Sequence, residues 1–179
     1  MRDSRAEGIG LILPALMLLV LPLRWCAAAF LAAALHELCH FAAVRLCGGE
    51  VRGIRFSAGG AVMEAGLMSP GKRLTCILAG PVGGALPVLL IRFFPRLGLC
   101  AMVLSAYNLL PLPGLDGGNA LEVLCEMTLP DAAAKRLCRV VTILCKSAIA
   151  AAGVYGTFFG GLGLFPLLMS VLVLLRAEK

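Results

Sequence analysis

The chain has 179 residues, of which 60% are hydrophobic and 15% charged, against about 45–50% apolar and about 25% charged in soluble domains. A mean hydropathy of +0.96 excludes a soluble domain with a large core and points to a membrane protein. The net charge of +6 does not mark a nucleic-acid binder, because the basic residues lie between apolar runs, where membrane topology accounts for them.

In chain order, six stretches are apolar enough for membrane helices, which need about 17–25 residues: 8–23, 25–45, 74–93, 97–112, 140–159 and 162–175. The first and last are short. The opening resembles a signal peptide, but Arg24 and Trp25 stand where small residues should precede a cleavage site, so the segment is expected to be retained. Residues 50–66 alternate weakly around Gly59 and Gly60, which predicts a β-hairpin. Residues 117–139 read as a short amphipathic helix with Glu122 and Glu126, a break at Pro130 and a basic run. Gly160 and Gly161 join the last two spans in a tight hairpin. The eight cysteines include no CxxC pair and read as buried free thiols. No repeat or long linker interrupts the chain. The expected fold class is therefore an all-α membrane protein with about six transmembrane helices and a small membrane-associated β-hairpin, in one polytopic domain over 1–179. A catalytic core is expected at about 25–125 and an extra helical hairpin at about 140–175.

Charge sets an orientation. With a cytoplasmic N-terminus, the inner segments carry twelve positive residues: Arg2, Arg5, Arg45, Arg52, Arg55, Lys72, Arg73, Lys135, Arg136, Arg139, Arg176 and Lys179. The outer segments carry three, Arg24, Arg92 and Arg96. The positive-inside rule then places both termini in the cytoplasm, with Lys146 snorkelling toward the inner surface.

Within the second span lies HELCH, His36 to His40, which holds the two histidines of the chain. Residues four apart share a helix face, so both imidazoles can reach one metal ion, with Glu37 beside them to act on its water. This is the HExxH arrangement of zinc hydrolases. The motif also arises by chance in soluble helices, but ionisable residues inside a span cost about 2.5–3.5 kcal/mol each and mark function. Cys39 lies between the ligands at i+3, off their shared face, and reads as packing. A catalytic zinc takes a third protein ligand. Asp116 is the candidate, at the end of an apolar span and among the breakers Pro111, Pro113, Gly114, Gly117 and Gly118. Such backbone is tolerated at membrane depth only inside protein or beside a water-filled cavity. A helix-capping role for Asp116, on a helix starting near Gly118, is compatible with ligation. The expected orientation puts both HELCH and Asp116 in the cytoplasmic half.

HELCH at 36–40 together with NLLPLPGLDGG at 108–118 resembles the site-2 protease family of intramembrane zinc metalloproteases, over roughly residues 25–125. The pair in this order is far more specific than either half. Without a PDZ insertion, the chain looks most like the bacterial branch containing the sporulation protease that cleaves a membrane-tethered sigma-factor precursor. The resemblance implies a bacterial cell membrane protein with a cytoplasm-facing site and one Zn2+ per chain, held by His36, His40 and Asp116. It implies Glu37 as general base and Asn108 as a catalytic group that binds substrate or steadies the oxyanion; an interhelical hydrogen bond is the plainer role for Asn108. LAGPVGG at 78–84 is similar to the family's AGP element. By this resemblance Gly80, Pro81, Pro111, Pro113 and the hairpin glycines Gly59 and Gly60 are candidate substrate-binding positions. The edge of the hairpin would pair with an extended substrate strand. Two departures stand out. Gly83 and Gly84 replace the asparagine that often follows AGP, and the chain ends at Lys179 without the branch's CBS domain, so ATP-responsive control is not expected.

The expected partners are a membrane-protein substrate, the lipid bilayer and regulatory membrane proteins, with no nucleic acid and no reading of oligomeric state. Two other classes compete. A metal-binding pseudoprotease that holds or sorts membrane proteins would not require Glu37. A metal transporter would need ionisable residues leading to the outer face, and the sequence shows none.

Overall fold

Between Pro22 and Cys47, which precedes the pair Gly48–Gly49, lie 24 residues with neither proline nor glycine, rich in alanine and leucine, both good helix formers. They form one helix, α1 (Leu23–Leu46). Its end is set by glycine: Gly48 takes φ 75°, and Gly49 N–H reaches back to Val44 O at 2.8 Å, which closes the last turn. Lys72 Nζ donates to Cys47 O at 2.9 Å, a cation at the negative end of the helix. The computed structural model describes residues 22–49, 51–57, 60–65, 68–161 and 163–176. The expected span at 8–23, and Gly59, lie outside them.

Two compact units divide at Leu109 and Leu110. In the first, strands β1 (Val51–Ser57) and β2 (Gly60–Ala65) follow α1 and pair antiparallel, with Ser57 opposite Gly60 and an irregular register between Val51 and Gly53. Helix α2 (Pro70–Gly84) begins with proline in its first turn, where the missing N–H is not needed. A 3₁₀ turn at Leu86–Leu90 extends it. Helix α3 (Pro95–Asn108) also starts on proline. The three helices pack on one another through small side chains, with Ala32, Cys76 and Ala101 buried, as suits helices that associate in lipid. The larger apolar side chains Phe30, Leu38, Leu89 and Val103 are exposed, as the lipid-facing surface of a membrane protein requires.

The second unit holds α4 (Asp116–Thr128), α5 (Asp131–Phe158) and α6 (Phe165–Arg176). Helix α5 packs on both neighbours. Where it meets α6, a Cβ at Gly153 would overlap Ser170 Oγ, which itself donates to Leu167 O at 2.8 Å.

Among the described residues, three stretches are long and apolar enough to cross a membrane: Leu23–Leu46, Pro70–Leu90 and Asp131–Phe158. The protein is an all-α membrane protein in class. The expected span at 97–112 is the 14-residue α3, about 21 Å long, and that at 162–175 is the 12-residue α6. Two boundaries differ from expectation. Helix α3 stops at Asn108, because Pro111 disfavours helical backbone at Leu110. Helix α5 begins at Asp131, not at 140: Lys135, Arg136 and Arg139 belong to its first turns. At about 42 Å it exceeds a hydrocarbon core of about 30 Å, which leaves that basic turn for the interface. All eight cysteines are free, Cys76 and Cys125 buried and the rest half-buried.

Candidate metal centre

Helix α1 brings His36 and His40 onto one side, as the spacing predicted. Their Nε2 atoms stand 3.2 Å apart, and the rings meet edge to face at 82° with centroids 4.8 Å apart. His36 is buried and His40 half-buried. His40 Nδ1 lies 2.8 Å from the backbone carbonyl of Cys76 on α2. A carbonyl can only accept, so Nδ1 carries the proton and Nε2 keeps its lone pair on the side facing His36. Fixing the tautomer through the far nitrogen is how proteins orient a metal-binding histidine.

The packing of α2 is shaped to these side chains. Gly80, Gly83 and Gly84 lie three and four apart, on one face. A Cβ at Gly80 would overlap the His40 ring, one at Gly83 would overlap Cys39 Sγ, and one at Gly84 would lie 3.1–3.3 Å from His36. Cys39 therefore packs, as expected, but on the same side of α1 as the histidines, not off their face. The contact also accounts for the first departure from the family pattern: a side chain at position 83 cannot coexist with Cys39 in this packing. Gly80 and Pro81 are both buried, and the glycine is the floor on which the His40 ring rests.

Glu37 is half-buried on α1 next to His36. Asn108 is the last residue of α3. Its Nδ2 donates to Leu104 O at 3.1 Å, a bond within the helix where the sequence had offered one between helices. The amide group has a second N–H and an oxygen besides.

In the second unit, Asp116 opens α4 as its first helical residue. The helix thus starts at Asp116 and not near Gly118, and Leu115 occupies the capping position without a side-chain bond. A carboxylate in the first turn suits the positive end of the helix. The loop before it is tightly built. Gly114 takes φ 80°, Leu112 is fully buried, and a Cβ at Gly118 would overlap Leu112 O. Pro111 O accepts from Thr142 Oγ1 at 3.5 Å, while Pro113 is exposed. Of the two hairpin glycines, Gly60 is the first residue of β2.

The donor set fits a divalent metal. Two nitrogens each about 2.0–2.1 Å from one tetrahedral zinc stand about 3.3 Å apart, close to the 3.2 Å seen for His36 and His40. The first unit thus offers two imidazoles, and in the second Asp116 offers a carboxylate; two imidazoles and one carboxylate are a common ligand set of catalytic zinc sites.

Comparison with known proteins agrees with this chemistry. Residues 77–150 match the model of peptidase family M50. That stretch contains Gly80, Pro81, Asn108 and Asp116 and begins after HELCH. A site-2 protease from Methanocaldococcus jannaschii matches the structure with a TM-score of 0.62 at 17% identity, over 94% of this chain and 84% of that one, which establishes the fold. The chain is site-2 protease-like in motif and in fold. No curated protein matches the sequence. The family-model match over residues 77–150 and the apolar spans support a membrane metalloprotease of the intramembrane type.

Proposed function

We propose that the chain is an intramembrane zinc endopeptidase in which His36, His40 and Asp116 hold one zinc ion and Glu37 is the general base. The observation that carries the reading is the pairing of the two Nε2 atoms at 3.2 Å, with the His40 tautomer set by the Cys76 carbonyl. When bound, zinc lowers the pKa of its water toward about 7 and polarises a carbonyl. Glu37 then accepts the proton of the attacking water and returns it to the leaving amine. Asn108 offers its second N–H to the oxygen that gains charge. His36 and His40 keep their lone pairs on a common point, so no reorganisation is needed as charge develops.

The substrate class is a membrane protein cut in or near a transmembrane segment. A helical substrate hides its peptide bonds in i→i−4 hydrogen bonds, so the segment must unwind before its carbonyl is accessible. The paired strands Val51–Ser57 and Gly60–Ala65 supply an edge for such an extended chain. Gly59, Gly60, Pro111 and Pro113 belong to this substrate path in the reading. A sigma-factor precursor is the first substrate to try, because the motif pair resembles the sporulation branch. Twelve basic residues against three support cytoplasmic termini and a site toward the cytoplasm.

Glu37→Gln tests the reading. With any substrate cleaved by the wild type, the variant is expected to keep its zinc and to lose at least about 10²–10⁴-fold in rate. Persistent cleavage by a zinc-loaded Glu37→Gln protein would remove Glu37 from the mechanism.

A further inference from the structure

Helices α1 and α3 begin side by side, and each carries an arginine in its first turn, Arg24 and Arg96. That placement is unfavourable by itself, since the N-terminal end of a helix is already positive. Neither first turn contains an acidic residue, and neither helix has a side-chain cap. Among the described residues no carboxylate pairs with Arg24, Arg92 or Arg96; the partner of Arg96 is the face of Trp25, with Cζ 5.9 Å from the ring, a cation–π contact. Two adjoining clefts share both first-turn arginines. One, of about 460 Å³, is bounded also by Trp25. The other, of about 320 Å³, continues along α1 and α3 over Ala27, Ala28, Leu31 and Leu97. A pair of guanidinium groups thus opens directly onto an apolar groove that runs down the helices.

We propose that this end of the first unit binds one phospholipid with an anionic headgroup. Arg24 and Arg96 hold the phosphate, and an acyl chain lies over Ala27, Ala28, Leu31 and Leu97. Guanidinium forks match phosphate oxygens in pairs, and an anion here offsets both arginines and both helix ends at once. The apolar groove selects the lipid over a free anion, which would leave that groove unused. The site is separate from the histidines, which sit about 18–24 Å beyond Arg24 along α1 by helical rise.

Trp25 is the single tryptophan of the chain and serves as the probe. The full-length protein is reconstituted in phosphatidylcholine bilayers, and Trp25 emission is read as lipids with brominated acyl chains are added. Brominated phosphatidylglycerol is expected to reach half-maximal quenching at a mole fraction roughly fivefold or more below that of brominated phosphatidylcholine. Arg24→Gln/Arg96→Gln is expected to abolish that preference, whereas Arg92→Gln, outside both clefts, is expected to retain it. Where the double variant fails to fold, either single variant is expected to reduce the preference. Equal quenching of the wild type by the two lipids, or an undiminished preference in folded arginine variants, would overturn the proposal. Loss of the preference to inorganic phosphate at matched ionic strength would assign the arginines to a free anion and overturn it equally.

Discussion

The His40 imidazole is constrained on three sides: Nδ1 by the Cys76 carbonyl, Nε2 by His36, and its ring by Gly80. Only the last depends on a missing side chain, so it is the one that mutation can fill. Gly80→Ala drives a methyl into the imidazole and must displace either the ring or the helix. Overpacking of this kind costs about 1–3 kcal/mol, and disturbing the groups that orient a ligand lowers metal affinity about 10–100-fold. Zinc titration and thermal unfolding of Gly80→Ala are expected to show both losses; wild-type zinc affinity in that variant would mean that the glycine merely packs. His36, Glu37, His40 and Asp116 stand out in the sequence because metal chemistry asks for both residue type and spacing. The resting place of His40 on Gly80 was not, since nothing in a glycine states which side chain its missing Cβ leaves room for.

At the scale of elements, α1 and α2 meet as two complementary triplets, His36, Cys39 and His40 against Gly80, Gly83 and Gly84. Close approach of helices through glycine is a common device in membranes, and here it also sets the histidine geometry. Gly83→Ala is therefore expected to destabilise by about 1–3 kcal/mol through its collision with Cys39, and adding Cys39→Ala is expected to restore most of that loss. A double-mutant cycle measures the coupling; additive effects would show that residues 39 and 83 do not meet. The sequence marked Gly83 and Gly84 as a departure from the family pattern, yet the reason lies with a cysteine on another helix. Two helices start earlier than the apolar pattern predicts, for local reasons. Lys135, Arg136 and Arg139 break the apolar pattern by which a span is read, but alanine, lysine and arginine are strong helix formers, so α5 begins directly after Pro130. In the same way α4 runs through Gly117 and Gly118, poor helix formers, because Gly118 must pass against the Leu112 carbonyl.

For the whole molecule, class and chemistry were legible before the architecture. A mean hydropathy of +0.96 and charges placed between apolar runs lead to a multi-pass membrane protein, and the two motifs lead to a metalloprotease. The division at Leu109 and Leu110 lies just before the breakers Pro111 to Gly118, which in the sequence read as a loop within one domain. Zinc content of the detergent-purified full-length protein tests the central claim most directly, and it needs no substrate. The wild type, purified without chelator, is expected to hold about one zinc per chain, and His36→Ala and Asp116→Ala are each expected to lose it while remaining folded. A metal-free wild type, or full zinc retention in the Asp116→Ala protein, would contradict the assignment of His36, His40 and Asp116 to one catalytic zinc.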